Sequence, residues 1–261
     1  MEGSMRPNVP PLPWRYSPSY RFIGWLPLGA WLLAAFMSAP AWGADVSIMP
    51  VNVHLDRQND RATVQVVNNG NDVVVMQAEA IAWTRQAGQD LDAPTQELIV
   101  NPPIFTLQPG QTQILRLGLR RTPDLQQEAT YRMVLREVPV ARASENRVSG
   151  QVRVLVALRV PVYVAPNQVR REQTWQVQRT SSGDTVATVS NNGNVHMKVS
   201  ELRLAGAAGE SKVLAVSGAQ SVIFPGEQRS FRIATPASPS GTLQVLTDQG
   251  LQHVALGAGS Q

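Results

Sequence analysis

The chain has 261 residues, 43% hydrophobic and 16% charged, with a formal net charge of +4 and no cysteine. Its arginines are scattered rather than clustered, so no surface built for nucleic acid or an anionic membrane is expected. Without disulfides, an exported protein of this composition must rest on adequate apolar cores.

Residues 1–43 read as an export signal to be set aside before any fold reasoning. They carry Arg6, Arg15 and Arg21, then the apolar run from Phe22 to Met37, then Ala41-Trp42-Gly43 before Ala44, small residues of the kind a signal peptidase reads. A membrane anchor is the other reading. The run is only 16 residues long and is interrupted by Gly24, Pro27 and Gly29, short of the ~20 that a spanning helix needs. Removing three basic residues and one acidic residue leaves 20 against 18, a net charge of +2.

From Val46 onward, apolar and polar residues alternate in short runs closed by Asn, Gly or Pro. That period of two predicts strand after strand with almost no helix, an all-β chain. ATVQVVNNGN, VVVMQAEAIAW, QTQILRLGL, TYRMVLREV and QVRVLVALRVPVYV are the clearest segments. Two short stretches recur in the same order. VVNNGN (Val66 to Asn71) returns as VSNNGN (Val189 to Asn194), and PGQTQILRL (Pro109 to Leu117) returns as PGEQRSFRI (Pro225 to Ile233), at offsets of 123 and 116 residues. The pair predicts two copies of one plan, with Asn-Asn-Gly turning between antiparallel strands in each. The boundary is expected near Pro166-Asn167-Gln168, with a first domain over residues 44–166 and a second over 168–261. About seven strands per domain read as an immunoglobulin-like sandwich rather than a barrel.

No catalytic constellation is found. His54, His196 and His253 lie in separate segments without a metal-ligand spacing, and no thiol, phosphate loop or G-x-S-x-G is present. No enzyme activity, metal, cofactor or small-molecule substrate is therefore expected. Asp90 and Asp92 sit in GQDLDAP, read as a loop with solvated carboxylates, and Trp83 and Trp175 are expected to pack within their own domains.

The most unusual segment is the strand from Gln151 to Val164. Val152, Val154, Val156 and Leu158 share one face, while Arg153, Leu155, Ala157 and Arg159 share the other. It is either an ordinary inner strand or, because the polar stretch ARASENRVSG precedes it, a strand that begins at a sheet edge, and exposed edges pair with other chains.

NPPIFTLQPGQTQILRL followed by YRMVLREVP closely resembles the first domain of the periplasmic chaperones of chaperone–usher pilus assembly. The matching positions are Pro102, Pro103, Pro109, Gly110 and Arg116. The resemblance implies two immunoglobulin-like sandwiches in an L-shaped or boomerang arrangement, a periplasmic location, and pilus or fimbrial subunits and an outer-membrane usher as partners. In the best-known branch, an arginine on the first strand and a lysine on the last strand of domain one grip the subunit's C-terminal carboxylate. The corresponding residues here are the uncharged Asn52 and Pro161, a departure that resembles the archaic or alternative branch. There a proline occupies the strand position and an arginine after a tyrosine takes the carboxylate, which implies Pro161 and the Tyr131-Arg132 pair. A guanidinium fork suits that ligand; a solvated strand arginine is the plainer alternative. By the same resemblance, Val152, Val154, Val156 and Leu158 fill the open groove of an incomplete subunit, folding, capping and delivering it by donor-strand complementation. Pro161 is expected to mark where the donated strand ends, since proline lacks a ladder donor. A pilus subunit or adhesin is the rival reading; two sandwich-like halves and a first strand that begins at once favour the chaperone.

Overall fold

The structure, a computed structural model, describes residues 45–139, 154–206, 211–235 and 239–256. The proposed export signal, the stretch ARASENRVSG and Val152 lie outside them. Residues 42–261 form one compact unit.

Between Val46 and Val164 run β1 (Val46–Met49), β2 (Val53–Leu55), β3 (Arg61–Asn68), β4 (Val74–Gln86), β5 (Gln89–Pro94), β6 (Leu98–Asn101), β7 (Ile104–Leu107), β8 (Thr112–Leu119), β9 (Ala129–Glu137) and β10 (Ala157–Val164). They make a four-stranded sheet in the order β1-β3-β8-β6 and a six-stranded one in the order β2-β10-β9-β4-β5, with β7 also on β4. Beyond them run β11 (Gln173–Arg179), β12 (Thr185–Asn191), β13 (Met197–Gly206), β14 (Ser211–Ala215), β15 (Val222–Ile223), β16 (Gln228–Ile233), β17 (Pro239–Thr247) and β18 (Gly250–Ala255). These form the sheets β11-β12-β16 and β14-β13-β17-β18, with β15 on β13. No strand is shared between the two sets, and the described residues contain no α-helix. The chain is all-β, two immunoglobulin-like sandwiches in series.

Alternation of side chains builds each layer. In β3, Val64 and Val66 turn inward while Thr63 and Gln65 face out; in β8, Leu115 and Leu117 turn inward while Ile114 and Arg116 face out. These inward residues meet Met76, Met133, Leu135 and Val162 of the other sheet in one core. A second core joins Val189, Val199, Leu204, Phe231 and Val245. Each such side chain, fully withdrawn from water, stabilises the fold by about 1.5–3 kcal/mol.

The sequence repeat is a repeat of hydrogen bonds. Gln108-Pro109-Gly110-Gln111 and Phe224-Pro225-Gly226-Glu227 are equivalent turns, closed by Gln111 N donating to Gln108 O and Glu227 N to Phe224 O, both at 3.0 Å. Gly110 and Gly226 have φ of 73° and 79°, the conformation the third residue of a type II turn demands. Each glycine N–H then reaches an asparagine of the other motif, Asn68 O and Asn191 O, both at 2.8 Å.

The Asn-Asn-Gly motif works differently from the expected turn between antiparallel partners. β3 and β4 belong to opposite sheets, as do β12 and β13, so each motif carries the chain across the sandwich. Neither Gly70 nor Gly193 has a positive φ. The first asparagine does the work: Asn68, fully buried, donates through Nδ2 to Asp72 O and Leu107 O and accepts from Gly70 N. Asn191 does the same with Val195 O, Ile223 O and Gly193 N. Glycine at 193 is required by crowding, because a Cβ there would lie 2.4 Å from Arg170 O.

A third, smaller cluster joins the sandwiches: Trp83 and Tyr163 of the first meet Val222 and Phe224 of the second. Trp83 meets Phe224 edge-on with centroids 4.7 Å apart. The expectation that Trp83 packs within its own domain is therefore corrected, whereas Trp175 packs against the second core. One difference between the two turns serves this junction. Gln111 Oε1 accepts the Gln108 N–H, and Glu227 Oε2 accepts the Phe224 N–H, both at 2.9 Å. The charge on Glu227 additionally binds Arg85 of the first sandwich at 3.0 Å.

Removing the Asn191 amide strands two buried carbonyls, and removing that of Asn68 strands one buried and one part-buried carbonyl. Asn68→Ala and Asn191→Ala should each cost about 2–4 kcal/mol in urea unfolding. Asn192→Ala, whose exposed side chain holds only the Thr174 hydroxyl, should cost less than about 1 kcal/mol.

Candidate functional site: an open strand edge and its charged reverse face

β10 has unequal neighbours. Along one side it pairs with β9 throughout, from Ala157 opposite Arg136 to Val164 opposite Ala129. Along the other, the parallel strand β2 pairs only Val162, Tyr163 and Val164 with Val53, His54 and Leu55. From Ala157 to Pro161 this second edge has no strand partner among the described residues. The inner ladder continues before the strand, where Glu137 N donates to Val156 O at 2.9 Å and Val156 N donates to the Glu137 carboxylate at 3.3 Å.

The even-numbered side chains share the core face, and their burial declines toward the start of the strand. Val160, Val162 and Val164 are buried, Leu158 packs partly against the same core, Val156 is half-buried, and Val154 is 62% exposed. The apolar face of the sandwich therefore runs on beyond the sandwich itself.

The reverse face is occupied by a chain of alternating charges. Glu227 binds Arg85, Arg85 binds Asp90 at 2.8 Å, Asp90 binds Arg132 at 2.5 Å, Arg132 binds Asp92 at 2.8 Å, and Asp92 binds Arg159 of β10 at 2.6 Å. Arg132 also lies over Trp83, its guanidinium carbon 3.9 Å from the ring centroid, a cation–π contact. Buried arginines need such partners, because an uncompensated charge out of water is costly. Burial raises the Asp90 carboxyl, but hydrogen bonds from Arg132 and Arg85 outweigh it and hold the group below the usual carboxylate range.

A protein-family model described as "Pili and flagellar-assembly chaperone, PapD N-terminal domain" matches residues 45–170. Residues 45–170 belong to the family of pilus-assembly chaperones. Solved chaperone structures share its fold. One is the CsuC–CsuE chaperone–tip adhesion subunit pre-assembly complex from the archaic chaperone–usher Csu pili of Acinetobacter baumannii, with TM-score 0.55 and 18% identity over 81% of this chain and 97% of that one. Another is the Salmonella enterica SafA pilin in complex with the SafB chaperone, with TM-score 0.57 and 18% identity over 84% and 99%. The Escherichia coli chaperone DraB aligns with TM-score 0.54 and 20% identity over 82% and 100%. A comparison with curated proteins gives no significant sequence match.

In this chain, Asn52, Arg132 and Pro161 lie side by side. Pro161 of β10 faces Arg132 of β9, and one step back in the β2 register from the Val53–Val162 pair comes Asn52. Pro161 does not end β10, which runs on to Val164; what changes there is the edge, open before the proline and covered by β2 after it. Arg132 is 9% exposed rather than solvated, and its guanidinium is held by Asp90 and Asp92. Those two aspartates, expected in a loop, lie instead on β5, folded back on β4 through Ala87-Gly88 at φ of 50° and 77°. A two-residue turn ending in glycine was the signal for that hairpin. Among the described residues, no group of three or more His, Cys, Asp or Glu side chains is arranged to hold a metal ion.

A carboxyl held below its ordinary value in the folded state adds stability above the unfolded value, near 3.8 for Asp90, and loses it as the pH falls through the folded one. In urea unfolding at pH 7 and pH 3, the wild type should lose more stability on acidification than Asp90→Asn.

Proposed function

We propose that this protein works in the periplasm, where it folds, caps and delivers pilus or fimbrial subunits to the outer-membrane usher by donor-strand complementation, with the sandwich of residues 44–166 lending the strand. Its role is one of binding, not catalysis. The observation that carries the reading is the open edge of β10 beside an aliphatic face that outruns its own core. An extended segment of this kind completes a foreign sheet through main-chain hydrogen bonds while alternate side chains enter pockets, and chaperone–pilin pairing is an established instance of that mode. Val152, Val154, Val156 and Leu158 are the inserted side chains. At about 1.5–3 kcal/mol each they supply about 6–12 kcal/mol before ordering and association costs. Leu158 already packs against its own core, so the gain on capture falls mainly to the three valines. Register matters throughout, since a slip of one residue turns every valine away from its pocket.

Arg132 acts as the anchor for the subunit's terminal carboxylate, beside Pro161 where the open edge ends. Asp92 bridges Arg132 and Arg159, so an incoming carboxylate competes with it, one negative charge replacing another between the same two guanidinium groups.

Val154→Asp should reduce capture of a subunit at least tenfold in co-purification while the chaperone's melting temperature stays unchanged. Ile104→Asp, at a residue of similar exposure on β7, should leave capture intact. Undiminished capture by Val154→Asp would show that the strand is not donated through this face. For the anchor, Arg132→Ala should weaken capture and Asp92→Asn, which removes the competing carboxylate, should strengthen it. Equal binding by both variants would place the carboxylate elsewhere.

A further inference from the structure

Where the two sandwiches meet, three nearly parallel rings from three segments stack. The Tyr163 and His196 rings have centroids 3.7 Å apart at 15°. His54 of β2 lies 5.4 Å from Tyr163 and 6.3 Å from His196, at 23° and 16°. Glu128, whose side chain is 4% exposed, contacts the edge of the His196 ring. Its Oε2 accepts the His196 backbone N–H and lies 2.8 Å from His196 Nδ1, which carries the hydrogen because an ionised carboxylate only accepts.

Glu128 thus serves His196, and among the described residues no carboxylate is hydrogen-bonded to His54. Both rings line a cavity of about 320 Å³ between the sandwiches, together with Arg171, Lys198, Asp56 and Asp248. Burial disfavours a proton on His54 most, the nearby His196 and then Arg171 add to this, and Glu128 and Asp248 oppose it; the net result is a pKa below the ordinary 6.5. Burial and the neighbouring Glu128 push the Tyr163 hydroxyl up to about 12, so Tyr163 does not titrate in the same range.

We propose that this stack is a proton-sensitive junction: it holds the two sandwiches together while His54 is neutral, and protonation of His54 weakens the contact and widens the cavity between them. Glu128 is already committed to the His196 ring and backbone. A charge on His54, in the same stack and with no carboxylate bonded to it, is relieved only by reaching water. The direction follows from linkage. A histidine whose folded value lies below 6.5 gives full stabilisation above 6.5, which is lost as the pH falls through the folded value. Each unit of depression shifts the balance between closed and open junctions by about tenfold at the acid end.

The absence of cysteine makes the test direct. Thr106→Cys on β7 and Lys212→Cys on β14 give two exposed labelling sites, one per sandwich, for solution energy-transfer measurements across pH 7.5 to 5. The expected result is a single short distance at pH 7.5 that gives way to a longer, broader distribution with a midpoint below 6.5, and no such change in His54→Gln. An unchanged distance in the wild type, or the same change in His54→Gln, overturns the proposal. An NMR titration of the wild-type imidazoles provides a check that needs no variant: the His54 midpoint must coincide with that of the distance change. A change that follows His196 instead, or a His54 midpoint at or above 6.5, also overturns it.

Discussion

A strand with one side fully hydrogen-bonded and the other only half so is the constraint on which this molecule turns. β9 supports β10 from end to end, while β2 covers only its last three residues. Backbone donors and acceptors on an uncovered edge retain their capacity to pair. The aliphatic face continues past the point where its own core ends, so open edge and apolar face coincide over the same few residues. Covering that edge with a longer β2 would add ladder hydrogen bonds and remove the pairing surface.

Support for such a strand comes from its reverse face. The run of alternating charges from Glu227 to Arg159 crosses β4, β5, β9 and β10 and begins in the second sandwich. Arg85 and Arg132 each lie between two carboxylates, which keeps their desolvated charges compensated. Asp92 stands at the outer end, shared between a buried arginine and a half-exposed one. The inner end is fixed by Arg85, whose side chain is only 1% exposed and which also donates to Val222 O.

The two sandwiches use the same turn chemistry and diverge where Gln108 and Gln111 of the first correspond to Phe224 and Glu227 of the second. Gln111 and Glu227 make equivalent hydrogen bonds within equivalent Pro-Gly turns, and only the second carries a charge. That charge, with Trp83 edge-on to Phe224 beside it, makes a turn of the second sandwich part of the junction with the first. The Glu128–His196 contact lies at the same junction, on the segment that follows the second Asn-Asn-Gly.

Most strands, the double sandwich and the alternating face of β10 were legible in the sequence, because a period of two and the Pro-Gly and Asn-Gly punctuation are local properties of the chain; the sheet order, the short β5 and a count of ten and eight strands rather than about seven per domain were not. The family resemblance rested on similarly local motifs around Pro102 to Arg116. What the sequence concealed is whatever depends on partners far along the chain. Asp90 and Asp92 looked like loop carboxylates because Arg132 and Arg159, which join them to β9 and β10, lie 40 to 67 residues away. Trp83 looked like a core residue of one domain because Phe224 belongs to the other. His54 and His196 sat in unrelated segments until β2 lay beside β10. Alternation says which side of a strand is apolar; only the tertiary structure decides which edge of it stays uncovered, because edge coverage depends on where β2 stops.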